Sequence, residues 1–419
     1  MTRYQAEWVL PMTGPPIRRG QIDVAGARVV SVGPATTRGA IGPVVDLGPV
    51  AVLPALVNAH THLELSGLRG QVPPAESMPA WVDRLLARRG ASAGPDPAAM
   101  RSAIAESRAS GTGLIGDISN TLASVPVLEV AGVSARVFRE VLAFPDEGAA
   151  AVVGAALEEL TACGGLTTVR LGLAAHAPYS VGPAVFAALD RAIRDRPQAP
   201  RSVHLAESPE EVEFLRAGVG PWRTLLERVG RWNPDWTPPG CGPVEYLDRM
   251  GWLGPDVVAV HGVQLTDTEL ACLAARGVTL VTCPRSNRWT GVGDPPIDRF
   301  IQAGVRLAVG TDSLASAPDL NLFAELASMR RCAPLVPARR LLDCATSAGA
   351  DALGFGGAFG RIAPGRRAAL ISVQLPPGIG DVEEYLVNGI TADEVSWLEE
   401  PDDRTRGAGG QPPYPRSQS

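Results

Sequence analysis

Only five histidines occur in the 419 residues, and their spacing is the first chemical signal. His60 and His62 stand two apart in Asn58-Ala-His-Thr-His. His176 opens His-Ala-Pro-Tyr-Ser, His204 opens His-Leu-Ala-Glu, and His261 closes Val257-Val-Ala-Val-His. Asp312 stands in Gly310-Thr-Asp-Ser. Imidazole and carboxylate ligands suit zinc or ferrous iron. Alternate residues of a strand face the same way, so His60 and His62 can turn two imidazoles to one ion. A catalytic ion keeps a position open for water and lowers its pKa towards about 7. Each residue also has an ordinary reading. A histidine at a strand end is often a satisfied polar side chain, His-x-His alone is a weak motif, and Asp312 could cap a helix. The combination points to a divalent ion held by His60, His62, His204 and Asp312.

For these groups to meet, several strand ends must converge. Short apolar runs recur along the chain: Val52-Leu-Pro-Ala-Leu-Val, Gly113-Leu-Ile-Gly, Ala135-Arg-Val-Phe, Val169-Arg-Leu-Gly-Leu, Ser202-Val-His-Leu, Val257-Val-Ala-Val, Val278-Thr-Leu-Val-Thr and Val305-Arg-Leu-Ala-Val. Helical patterns such as Glu210-Glu-Val-Glu-Phe-Leu and Asp267-Thr-Glu-Leu-Ala-Cys-Leu lie between them. Buried parallel strands read as continuous apolar runs, and alternation with helices implies crossovers. Eight such units predict an α/β fold, a closed (β/α)₈ barrel of the TIM type. No GxGxxG follows the first run, which argues against a dinucleotide fold. In such a barrel the carboxyl ends of the strands form one mouth, and every histidine maps to it.

Both chain ends are β-rich, with Ala27-Arg-Val-Val-Ser-Val-Gly early and Arg367-Ala-Ala-Leu-Ile-Ser-Val late, and they are expected to meet in a small β-sandwich. The expected organisation is sandwich over residues 1–53, barrel over 54–356, sandwich again over 357–400, and a disordered Gly/Pro/Arg/Ser-rich tail over 401–419.

Composition excludes other classes. The net charge is −6, so there is no basic footprint for nucleic acid. No apolar run reaches the roughly 20 residues that span a bilayer. The N-terminus lacks the basic-then-apolar order of an export signal, and six scattered cysteines without a CxxC pair read as reduced thiols, so a cytoplasmic location is expected. The oligomeric state stays open between monomer and homodimer. There is no lysine at all: the 38 basic residues are all arginine.

The motifs resemble the amidohydrolase superfamily, in its cytosine deaminase-like and adenosylhomocysteine deaminase-like branch. Pro54-Ala-Leu-Val-Asn-Ala-His-Thr-His is similar to the signature of the family's first barrel strand. His204-Leu-Ala-Glu207 is similar to its H-x-x-E, and Thr282-Cys-Pro-Arg-Ser-Asn287 to its C-P-x-S-N. Ala369 stands where many members carry Asp, far from the metal motifs. Binuclear members bridge two metals with a carboxylated lysine. A chain without lysine therefore points to one ion, zinc ahead of iron, and away from dihydroorotase-like chemistry. The resemblance implies that the ion activates water and that Asp312 accepts or orients its proton. It gives Glu207 the proton shuttle to the ring nitrogen and leaving ammonia, and His261 the stabilisation of the tetrahedral intermediate. The ordinary reading of Glu207 is an exposed glutamate at a helix start.

His62-Leu-Glu64-Leu-Ser66, with Met78-Pro-Ala-Trp81-Val, resembles the aminodeoxyfutalosine deaminases of menaquinone biosynthesis. The resemblance implies a small-molecule nucleoside substrate, with His176 on the purine and Glu64 on ribose hydroxyls or serving as a supporting hydrogen-bond partner. Adenosylhomocysteine, methylthioadenosine or adenosine deamination, and amide or triazine hydrolysis, are the alternatives. The segment between the fifth and sixth runs holds Trp222, Trp232, Trp236 and Trp252. It either packs on itself or forms a lid over an aryl carboxylate tail.

Overall fold

The computed structural model describes residues 1–36, 42–90, 94–194 and 199–398. The tail expected over 401–419 lies outside the described residues. Both chain ends join in one seven-stranded sheet, in the order Val395–Trp397, Leu370–Gln374, Val50–Pro54, Thr2–Val9, Ile17–Ala25, Arg28–Pro34, with Val44–Asp46 also on Thr2–Val9. Its far edge returns towards the late segment through a bridge between Arg28 and Arg367. Val9, Ile22, Val29, Val52 and Leu370 fill the small core beneath it.

The second sheet has eight parallel strands: Leu56–Thr61, Thr112–Ser119, Ser134–Val141, Val169–Ala175, Arg201–Leu205, Val257–His261, Thr279–Thr282 and Arg306–Val309. Most of their residues are buried, as covered parallel strands require. Helices follow them with ordinary caps. Ser208 caps Pro209–Ala217, and Thr266 with Glu269 makes a capping box on Asp267–Arg276. At the opposite end of the barrel Glu129 acts as a staple, accepting the amides of Thr167, Thr168 and Val169 at 2.7–3.0 Å.

The run beginning at Val52, read above as one strand, is divided between the two sheets. Ala55 donates to Ala369 of the terminal sheet, and the next amide, Leu56, donates to Gly111 on the barrel side. The chain therefore changes sheets between Ala55 and Leu56.

The first and last barrel strands meet just past their carboxyl ends. The amides of Thr311 and Asp312 both donate to the His60 carbonyl at 3.1 Å. The Asn58 side chain bridges the same seam, donating to Thr311 Oγ1 at 2.7 Å and accepting the Thr311 amide at 3.1 Å. A Cβ on Gly310 would stand 2.6 Å from the His60 carbonyl oxygen, so only glycine allows this approach.

Candidate active site

The strand ends gather four imidazoles and a carboxylate at one mouth. The His60 ring centroid lies 4.9 Å from that of His62, 5.0 Å from His204 and 5.8 Å from His261. Asp312 Oδ1 is 3.6 Å from His62 Nε2 and 3.8 Å from His60 Nε2. These gaps are too long for hydrogen bonds. They match ligand atoms sharing one centre, since atoms about 2.1 Å from a tetrahedral ion lie about 3.4 Å apart.

The chemistry of the donors fits a cation. His60 Nε2 is buried and hydrogen-bonds to nothing among the described residues. Burial depresses the pKa of His60, His62, His204 and His261, leaving neutral imidazoles with free lone pairs. Burial pushes Asp312 the other way, but His62, His261 and the Ser286 hydroxyl outweigh it and hold the carboxyl below its usual range. His204 Nδ1 donates to the His176 carbonyl at 2.9 Å, which fixes the tautomer and leaves Nε2 as the ligand atom. The same proton disqualifies a second ion among Glu140, His176 and His204, which also approach each other closely.

Three non-glycine residues at the mouth sit in the left-handed region: Ala206 (φ 51°), His261 (φ 77°) and Asp312 (φ 59°). Such conformations persist only where surrounding bonds impose them. Gln264 donates to the Ala206 carbonyl at 2.8 Å, and Ala206 and Glu207 donate their amides to the two oxygens of Glu211 at 3.0 Å. This turn delivers Glu207 to the site, 3 % exposed, with Oε2 3.5 Å from His261 Nε2. Burial, then Asp312 and Glu211, raise the Glu207 carboxyl well above its usual range. His261 Nδ1 donates to Asn287 Oδ1 at 2.9 Å, so its Nε2 faces Glu207 as an acceptor. Asp312 Oδ2 accepts from Ser286 at 2.6 Å and Oδ1 accepts the Ser313 amide at 2.8 Å.

Above this floor opens a cavity of about 420 Å³ with largely apolar walls, among them Trp81, Leu85, Phe144 and Trp222. His176 lines it, its Nδ1 hydrogen-bonded to Ser180 and its pKa lowered to about 4 by burial and the nearby Arg89. Arg89 and Arg231 also reach the wall. The tryptophan segment divides its roles. Trp232 and Trp236 stack on Phe144 and Phe214, and Trp252 meets Phe186 edge-on. Trp222 stacks on Tyr179 at 4.3 Å and faces the cavity.

Glu64 is not brought to the cavity. Its Oε1 accepts from the Ser119 hydroxyl, the Thr121 amide and hydroxyl, and the Ala123 amide, while Oε2 accepts the Asn120 amide. Of the two roles expected of Glu64, these bonds favour the supporting hydrogen-bond partner over the ribose contact: the carboxylate is taken up by a loop containing Leu122, itself left-handed at φ 60°. Sequence reasoning also passed over Glu140, Glu211, and the partner roles of Ser286 and Asn287. For Glu211 a signal existed, an acidic residue three positions after the capping Ser208.

A family model described as the amidohydrolase family matches residues 51–397. A 5-methylthioadenosine/S-adenosylhomocysteine deaminase of Syntrophobacter fumaroxidans is 31% identical over 376 residues, covering 84% of this chain and 80% of that protein. An aminodeoxyfutalosine deaminase of Deinococcus radiodurans is 34% identical over 323 residues, covering 72% of this chain and 73% of that one. Among solved structures, an adenosine deaminase of Xanthomonas campestris with bound zinc superposes with a TM-score of 0.80 at 27% identity, over 96% of this chain and 92% of its own. The chain belongs to the amidohydrolase family and is a hydrolase acting on carbon–nitrogen bonds.

Proposed function

We propose that the protein deaminates the adenine ring of a nucleoside, with one zinc ion held by His60, His62, His204 and Asp312. The observation that carries this reading is the buried Glu207 carboxyl 3.5 Å from His261 Nε2, in the cavity that the donor cluster lines. When bound, the ion supplies an acidified water. Asp312 would accept a proton from the attacking water as the water oxygen bonds to the amine-bearing ring carbon. Glu207 gives its proton to the adjacent ring nitrogen, making the carbon more electrophilic. His261 Nε2, an acceptor because Nδ1 is committed to Asn287, takes a hydrogen bond from the attacking O–H. The carbon–nitrogen bond then breaks: the proton held by Asp312 leaves with the amine as ammonia, and the hydroxyl proton of the intermediate returns to Glu207, so that the ring carbon becomes a carbonyl and both carboxyl groups recover their starting states. His176 sits on the cavity wall where the purine would stack.

For the substrate we favour 6-amino-6-deoxyfutalosine, which would place the enzyme in menaquinone biosynthesis. Supporting this are the Deinococcus relative and an apolar cavity with Arg89 and Arg231 in its wall, suited to an aryl carboxylate. The Syntrophobacter relative supports methylthioadenosine or adenosylhomocysteine as the second reading. Ammonia release from these nucleosides and adenosine tests both. A preference of tenfold or more in kcat/KM for aminodeoxyfutalosine is expected. Release from none of them would overturn the deaminase reading.

A further inference from the structure

One carboxylate in the cavity has no task in the mechanism above. Glu140 is the penultimate residue of the third barrel strand, 3 % exposed, and lines the cavity next to His204 and His176. Its Oε2 accepts from Asn120 Nδ2 at 2.7 Å, and Asn120 Oδ1 accepts from Arg89 Nη2 at 3.3 Å. Its Oε1 is buried and hydrogen-bonds to nothing among the described residues. The nearest donor, His204 Nδ1, is 3.6 Å away and already bonded to the His176 carbonyl. A buried carboxylate oxygen without a donor is costly, so a cavity that keeps one is built around a donor that arrives with the ligand.

The proposed reaction limits what that donor can be. On an adenine nucleoside the unreacted ring nitrogens N3 and N7 are acceptors, and the exocyclic amine is at the reacting centre. The remaining donors common to the class are the sugar hydroxyls. We infer that Glu140, anchored by Asn120, accepts a hydrogen bond from a ribose hydroxyl and selects ribonucleosides over their deoxy analogues. This rests on the deaminase reading. It moves sugar recognition from the turn after the first barrel strand to the end of the third.

The test compares adenosine with 2′,3′-dideoxyadenosine on the metal-loaded full chain, using wild type, Glu140→Gln and Glu140→Ala. Wild type is expected to prefer adenosine by about 10- to 100-fold in kcat/KM. Either variant should lose most of that preference, chiefly through KM for adenosine, while the dideoxy substrate is turned over at its wild-type rate and metal content is unchanged. Equal losses on both substrates, loss of metal, or a wild type indifferent to the hydroxyls would overturn the assignment. If neither variant folds, Asn120→Ala, which frees the anchor, must lower the preference, and an unchanged preference overturns it. A wild type that releases ammonia from no adenine nucleoside defeats the deaminase reading and this inference together. Ammonia release without the preference defeats only this inference.

Discussion

The carboxylate of Glu211 accepts the Glu207 amide at 3.0 Å on one oxygen, and on the other accepts the amide of the left-handed Ala206. Glu211 is fully buried, and burial lifts its pKa to about 8 against the two amide bonds. Glu211→Ala leaves two buried amides unpaired, at roughly 1–3 kcal/mol each, so chemical unfolding should show a loss on that scale. The kcat should fall at least tenfold because Glu207 is no longer held. Glu211→Gln keeps one acceptor and should lose less of both. Wild-type kcat in the alanine variant would remove Glu211 from the support of Glu207.

Glu207→Gln preserves shape but cannot cycle a proton. The kcat should drop by about 10²–10⁴, with metal content near wild type. Ammonia release and elemental analysis on the same sample decide it. Full activity would return Glu207 to the role of a helix-start residue, and joint loss of metal would make it a support of the ion.

About one tightly held divalent ion per chain is expected after extensive dialysis. His204→Ala should lose both metal and turnover, and Asp312→Ala should lose turnover. A chelator should abolish activity and added zinc should restore it. Two equally tight ions per chain would contradict the single-ion site.

Glu64 supports the loop after the second barrel strand, so its loss should be felt in stability. Glu64→Gln turns an amide group towards N–H and O–H donors and should destabilise the fold by roughly 1–3 kcal/mol. The KM for the nucleoside should stay within about twofold of wild type. A KM raised tenfold with stability unchanged would put Glu64 back on the substrate.

The Glu129 staple predicts an acid-sensitive contribution. Burial raises its pKa, but the bonds from Val169, Thr168 and Thr167 outweigh this and hold it at about 2. The folded value is depressed, so the stabilisation is complete above the unfolded value of about 4.3 and fades as pH falls towards 2. Urea unfolding should therefore show Glu129→Gln weaker than wild type at pH 7, with the gap closing by pH 2–3. A gap independent of pH would contradict the staple's charge dependence.

The barrel was legible because its strands are short apolar runs, and the histidine cluster because histidine is rare and falls at their ends. Charged residues that support the site were harder to see. Glu211 in a helix's first turn and Glu140 at a strand end have the types expected of exposed positions. Only the assembled barrel shows that both are buried. Glu64 left two roles open for a related reason. Its position just after His62 fixes proximity to the mouth, but the 3₁₀ turn Leu63–Leu68 turns its carboxylate towards the neighbouring loop. The left-handed backbones of Ala206, His261 and Asp312 have no glycine to announce them.

The seam at Gly310 also bears on when the proposed ion site is assembled. Thr61 and Asp312, joined there by a 2.9 Å bond from the Thr61 hydroxyl to the Asp312 carbonyl, are 251 residues apart. Contacts so distant in sequence are slow to form. A chain emerging from the ribosome carries His60, His62 and His204 long before Asp312 exists, on a barrel that cannot yet close. The proposed site of three histidines and Asp312 is therefore complete only in the finished barrel, and an ion bound across the seam would favour the closed state over every open one. Such an ion would fasten the first strand to the last, and its removal should loosen the barrel first at that junction.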